Sequence, residues 1–219
     1  MGAVFLAGAL WELIVRYFWR HLPLYVALIL LFVTGLGFGA LATHKLSPVQ
    51  KEDLSSYISA VYLTLAEGSA ETLDKAQLFY GSFRDNVIKT AGLIFLLGLT
   101  VIGAPLILAV VFVRGFVLGF TVGFLVQDAV VKGLVLSTTC ILPHNALMVP
   151  ALLLGAGGAL SFAGSAFRTL VGRSKEGIHG QLATSTFLAL VSGLLFLAAA
   201  VVETYLTPFL IQLGRGFLA

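Results

Sequence analysis

Four histidines, one cysteine and ten carboxylates are the side chains of this sequence best suited to bind a metal or move a proton. Their spacing forms no working set. H-E-x-x-H, which turns two imidazoles to one helix face around zinc, does not occur, nor does a Cys/His cluster or the G-x-x-x-x-G-K-[ST] loop that cradles nucleotide phosphates. Glu52 and Asp53 are adjacent, and neighbours on a helix point about 100° apart, so the two cannot flank one scissile bond. Ser137 has no His or acid in a recognisable arrangement. Cys140 stands alone in the apolar stretch 134–142, which excludes a disulfide within the chain, and apolar burial disfavours its thiolate. The sequence therefore reads as a non-enzyme with no metal site and no cofactor. Two polar groups remain. Asp128 and Lys132 are spaced to pair across one helical turn, acid first; they read as an interfacial loop pair, or as an intramembrane functional pair. His144 lies between Pro143 and Asn145 at a helix break whose freed backbone groups must be buried in protein or face a wet cavity.

Composition says what must position these groups. Hydrophobic residues make up 59% of the chain and charged ones 11%, whereas a soluble domain is roughly a quarter charged. So little charge cannot cover a water-facing surface, and the solvent must be mostly lipid. The net charge of +3 and the lack of a basic stripe argue against a nucleic-acid partner. The expected fold is all-α, a polytopic membrane bundle of about five spans. An interfacial N-terminal segment, 1–21, mixes Trp11, Tyr17, Phe18 and Trp19 with Arg16 and Arg20. Spans follow at 22–43, 90–113, 115–131, 146–167 and 182–202, each near the roughly 20 residues that cross a hydrocarbon core. The first is read as uncleaved, because its apolar run exceeds a signal-peptide core despite the small-x-small Ala40-Leu41-Ala42. Pro105 is expected to kink the second span, Pro150 to sit near the entrance of the fourth, and 133–145 to form a short or re-entrant segment.

Small residues recur on three spans. Gly115, Gly119 and Gly123 fall at steps of four and drift only about 80° around the helix, which makes one glycine groove. Ala151, Gly155, Ala159 and Ala163 make a second stripe, and Gly35 with Gly39 a weaker one. Apolar burial gains little in lipid, so close backbone packing drives helix association. These stripes serve packing within one bundle or a subunit interface, such as a homodimer.

Between the first two spans, 44–89 is the only sizeable polar region. Ser47-Pro48-Val49-Gln50 is a helix start with a capping box. Two amphipathic helices follow, whose aromatic residues Tyr57, Tyr62, Phe79, Tyr80 and Phe83 are candidates for docking a partner. Arg16, Arg20, Arg114, Arg168, Arg173 and Lys175 can all be cytoplasmic if the N-terminus is inside. The 44–89 region and the C-terminus then lie outside.

Several segments carry a resemblance: Lys51-Glu52-Asp53-Leu54 after Leu46-Ser47, Asn86, Ile102-Gly103-Ala104-Pro105, the glycine run from Gly115 to Val126, Leu142-Pro143-His144-Asn145, and the ending from Glu203 to Leu210. Together, and in this order, they resemble the stage II sporulation protein M family of endospore-forming bacteria. Related membrane proteins often carry Pro-His-Gly and a Glu a few residues on, where this chain has Asn145 and Met148, so no role for a membrane-buried Glu is carried over at that place. The resemblance implies a multi-pass protein of the mother-cell septal and engulfing membrane. It would scaffold two peptidoglycan-degrading partners, stage II sporulation proteins D and P, during engulfment. The residues also leave open a small transporter or channel that uses Asp128, Lys132 and His144, or a lipid-handling, membrane-remodelling protein.

Overall fold

In the computed structural model, the described residues are 2–66, 75–100, 102–128, 141–172 and 178–206; for 2–16, 59, 61–66, 75–78, 128, 178 and 179 the backbone alone is described. Among these residues the secondary structure is entirely helical. The order is α1 (Gly2–Ala42), a 3-10 turn (Thr43–Lys45), α2 (Pro48–Ala66), α3 (Lys75–Phe83), a π-helical stretch (Arg84–Gly92), α4 (Leu93–Gly98), α5 (Gly103–Asp128), α6 (Leu142–Leu170), α7 (Ile178–Val201) and a closing π-helical stretch (Val202–Leu206). Four of the described helices are long and apolar enough to cross a membrane: Tyr17–Lys45, Gly103–Gln127, Leu142–Leu170 and Gly180–Leu206. The chain is thus an all-α, multi-pass membrane protein with four such spans among its described residues, where the composition suggests about five.

The difference lies between residues 75 and 128. The expected spans at 90–113 and 115–131 meet at Arg114, but in the structure Arg114 sits midway along α5. The chain turns earlier, between Gly98 and Gly103. Thr100 accepts the Gly103 N–H on its hydroxyl at 3.1 Å while the Thr100 carbonyl takes the same donor at 3.2 Å. Gly103 itself lies so close to the Leu97 carbonyl that a Cβ there would sit 1.9 Å from the oxygen, so only glycine fits the turn. Pro105 falls in the first turn of α5 and starts that helix; there its missing N–H is not needed, so it makes no mid-span kink. Pro143 likewise lies in the first turn of α6, so 141–145 opens that helix instead of breaking the chain before a span at 146. Pro150 is inside α6. The described part of the N-terminal segment, from Gly2, and the first span are a single helix that runs through Pro23.

Glycine sets the arrangement of the rods. A Cβ on Gly35 or Gly39 would sit 2.3 Å from the Phe112 carbonyl oxygen or 2.0 Å from that of Phe116, and one on Gly115 or Gly119 would strike the carbonyl oxygens of Phe32 or Leu36 at 2.3 and 2.0 Å. Gly123 meets Ala40. Residue numbers rise together along both helices, so α1 and α5 run parallel, backbone against backbone. The glycines of α5 thus meet α1 of the same chain, so this close packing is made within one bundle. Parallel neighbours need a return stroke, which the rod 75–98 supplies: Thr90 lies beside Arg114, and Leu97 beside Gly103. On α6, Ala151, Gly155 and Ala159 are buried. A Cβ on Gly155 would meet the Ser192 hydroxyl at 2.7 Å, and one on Gly98 would meet the Ala159 Cβ at 2.4 Å, so this stripe receives α7 and α4. Ser192 also donates to the Ala151 carbonyl at 2.6 Å.

Between the rods lies an apolar core of Leu28, Phe32, Ile94, Ile107, Val111, Met148, Leu152 and Phe196. The pairings give the bundle two ends. His21, the Gly98–Gly103 turn and Ser161 to Leu170 share one, here the proximal end. Thr43–Lys45, Gln127, the start of α6 and Glu203 share the distal end. At the start of α2 the Ser47 N–H donates to Gln50 Oε1 at 3.0 Å and the Gln50 N–H to Ser47 Oγ at 3.3 Å. That reciprocal pair is the capping box its spacing predicts.

Candidate functional site: a polar clasp at the distal end

Asparagine, serine and threonine in lipid must find partners, and three of them set the face of the rod 75–98. Ser82, Asn86 and Thr90 come at steps of four, one polar stripe through the π-helical stretch. The stripe meets α7's end. Ser82 donates to Glu203 Oε2; Asn86 Nδ2 donates to Ser82 Oγ at 3.1 Å and reaches the same carboxylate oxygen at 3.5 Å. One helical turn on, Arg114 of α5 donates to the Thr90 hydroxyl, which itself donates to the Asp85 carbonyl at 2.8 Å. His144, from the first turn of α6, points its Nε2 at Glu203 across 3.8 Å, and that buried nitrogen has no hydrogen-bond partner among the described residues. Four rods therefore meet through Ser82, Asn86, Thr90, Arg114, His144 and Glu203. π-helical stretches occur at two of the contributing segments, 84–92 and 202–206, and such stretches cluster at functional sites.

On the outward side of the same rod, Lys89 contacts Asp85 at 2.7 Å and Arg84 contacts it at 3.5 Å. These groups are exposed, so the pairs contribute little to stability. Asn145 faces away from the clasp and donates to the Ile141 carbonyl at 2.8 Å, which closes the first turn of α6.

A second polar set occupies the proximal end. The His21 Nδ1 lies 2.9 Å from the Tyr17 carbonyl, which can only accept, so in the neutral ring Nδ1 carries the proton and Nε2 accepts from the Ser161 hydroxyl at 2.8 Å. A serine within reach of an imidazole is the first half of a nucleophilic dyad. The other half is missing: Ser161 lies inside α6, whose neighbouring N–H groups belong to the helix ladder and cannot hold an oxyanion. The pair works as a clamp between α1 and α6. Ser161→Ala is expected to lower the unfolding free energy by about 1 kcal/mol, as interhelical hydrogen bonds in bilayers do, read from the midpoint of denaturation in detergent. Among the described residues no group of three His, Cys, Asp or Glu is placed to hold a metal ion.

The residues singled out from sequence are thus dispersed. Gly115, Gly119 and Gly123 of α5 pack against α1; Ala151, Gly155 and Ala159 face α4 and α7; His144 alone joins the clasp. Tyr57 and Tyr80 are exposed, whereas Phe79 and Phe83 are partly buried, with ring centroids 6.1 Å apart in a stack. The Tyr62 and Asp128 side chains, Lys132, Ser137, Cys140 and the stretch 133–140 lie outside the described residues. Sequence reasoning missed Arg114, Glu203, Ser82, Asn86 and Thr90. The four-residue polar spacing of 82, 86 and 90 is the signal that could have found the stripe.

Comparison with curated proteins and with solved structures finds no match to the chain. A family model does match, that of stage II sporulation protein M, over residues 28–208, which takes in α1 from the core residue Leu28 onward and every later element through the clasp glutamate. The glycine-sealed pair, the rod 75–98 and the clasp all fall inside that stretch, and on this evidence the chain belongs to the stage II sporulation protein M family.

Proposed function

We propose that the chain is a non-enzymatic membrane scaffold of the sporulation engulfment machinery, placed in the mother-cell septal and engulfing membrane. It holds two peptidoglycan-degrading partners, stage II sporulation proteins D and P, at the wall they cut. The observation that carries this reading is the family match across 28–208 on a multi-pass helical chain. Arg20 and Arg168 at the proximal end support an orientation with the N-terminus in the cytoplasm. The distal end, with α2 and the clasp, then faces the wall. Anchoring two hydrolases to one bundle raises their effective concentration at the same stretch of wall without adding any catalytic group. The clasp fits the role because it fixes the rod 75–98 against α5, α6 and α7, so whatever docks distally meets a rigid surface.

A transport reading needs a polar path from end to end. The two polar sets are instead separated by the apolar core of Leu28, Ile107, Val111, Leu152 and Phe196. The docking surface is tested at Tyr57, 68% exposed on α2, and not at Phe83, whose ring stacks within the rod. Tyr57→Asp is expected to reduce co-purification of both partners from sporulating cells while membrane insertion and the denaturation midpoint stay unchanged. Undiminished recovery of both partners would rule out this surface.

A further inference from the structure

A groove of about 660 Å³ runs between α1, α5 and the first turn of α6 in the distal half of the bundle. It exists because α1 and α5 seal against each other along their glycines while α6 approaches both less closely. Leu36, Ala40, Leu118, Val122 and Leu142 make its walls. Its polarity changes in one direction. Deep in the span it is lined by Leu36, Leu118 and Val122; Asn145 of the first turn of α6 adds one amide to the wall, and at the mouth it is lined by His44 and Gln127, both exposed. Gln127 Nε2 donates to Thr43 and lies 3.2 Å from His44 Nε2, which holds the two rims together, and exposed Lys45 follows at the end of the same turn.

We propose that this groove binds one membrane phospholipid, with an acyl chain along Leu118 and Val122 and the phosphate at His44 and Lys45. The profile fixes the occupant's chemistry. Among the described residues the trough stands open between three membrane-spanning helices, whose neighbouring molecules in a bilayer are lipid chains. Its polar, basic mouth lies where the span Tyr17–Lys45 ends, at headgroup depth. A lipid has the same order of parts along its length: hydrocarbon, then an anionic phosphate. Another helix would bring side chains and no anion to the mouth. The proposal is independent of the scaffold reading, since a lipid could stabilise the α1–α5–α6 junction whatever docks outside.

The test is native mass spectrometry of the full chain purified in mild detergent, with phosphatidylglycerol and diacylglycerol as added probes. The wild type should retain one phospholipid per chain. Val122→Trp, which fills the trough, should lose it, while Leu108→Trp, on α5 outside the groove, should keep it. Leu118→Trp is the second filling variant, read if Val122→Trp alters the denaturation midpoint. Phosphatidylglycerol should bind at least about fivefold more tightly than diacylglycerol, the effect of about 1 kcal/mol from a basic residue near an anionic headgroup. Substituting His44→Ala and Lys45→Ala together should erase that preference. The proposal is overturned if both filling variants retain lipid as the wild type does. It is equally overturned if the wild type retains none because the groove holds the chain's own residues 129–140, or if filling the groove converts a dimer to a monomer with no lipid lost.

Discussion

Gly119→Leu is expected to destroy the bundle. Even a bare Cβ at this position would lie 2.0 Å from the Leu36 carbonyl oxygen and 2.7 Å from its carbon, and both are backbone atoms of α1 that cannot swing aside as a side chain would. Overpacking in a core that can relax costs about 1–3 kcal/mol. Here the helices themselves must separate, which also opens Gly115 and Gly123 above and below, so a loss of at least about 3 kcal/mol is expected. In practice the variant should fail to accumulate as folded protein in the membrane. Gly37→Leu is the internal control. Gly37 lies on the partner helix α1, two residues before Gly39, and a Cβ added at Gly37 meets nothing within 4 Å, so this variant should accumulate normally. Equal folded yields and denaturation midpoints for the two variants would contradict the α1–α5 seal.

Arg114→Glu is expected to be nearly as damaging, by a different route. Arg114 brings positive charge to a region that already holds Asp85 and Glu203, and it satisfies Thr90. A carboxylate at this place repels both acids and can only accept hydrogen bonds. The cost is that of a buried charge stripped of its partner, about 3–5 kcal/mol, and the rod 75–98 should detach from the bundle. Arg114→Met separates charge from shape. A thioether of similar length removes an ionisable group from mid-span, where charge is costly, so its stability should lie within about 1 kcal/mol of wild type or above it. Protease accessibility of the rod in membrane vesicles reads both variants. Protection of the rod in Arg114→Glu equal to wild type would exclude the clasp as the device that holds it.

Residue types and spacing show part of this arrangement and hide the rest for definable reasons. Steps of four place Gly115, Gly119 and Gly123 on one face at sight. Nothing in that spacing names the rod that comes against the face, because an interface needs two sequences and the second is some eighty residues away. Arg114 misleads for a sound reason: charge at membrane depth is expensive, so a lone Arg between apolar runs looks like the end of a span. The true end carries its own marks in Thr100, Gly103 and Pro105, a capping hydroxyl, a residue without a side chain and a proline in the first helical turn. The charge at Arg114 is tolerated inside the helix because Thr90 accepts a hydrogen bond from it and the carboxylates of Asp85 and Glu203 offset part of its cost. His144 was visible as a polar group needing a partner. Glu203 was not, because a carboxylate at the end of an apolar run reads equally well as the water-facing terminus of a span.

In this fold the glycine faces of α1 and α5 meet inside one chain. Paired cysteines test this directly. In a Cys140→Ser background, Ala40→Cys and Gly123→Cys are placed where a Gly123 Cβ would lie 3.3 Å from the Ala40 Cβ, close to the spacing a disulfide spans. Mild oxidation in intact membranes should join the two within a single chain, seen as an internal cross-link at monomer mass. Covalent dimers in place of that internal link would put a second copy on the glycine face and contradict the account.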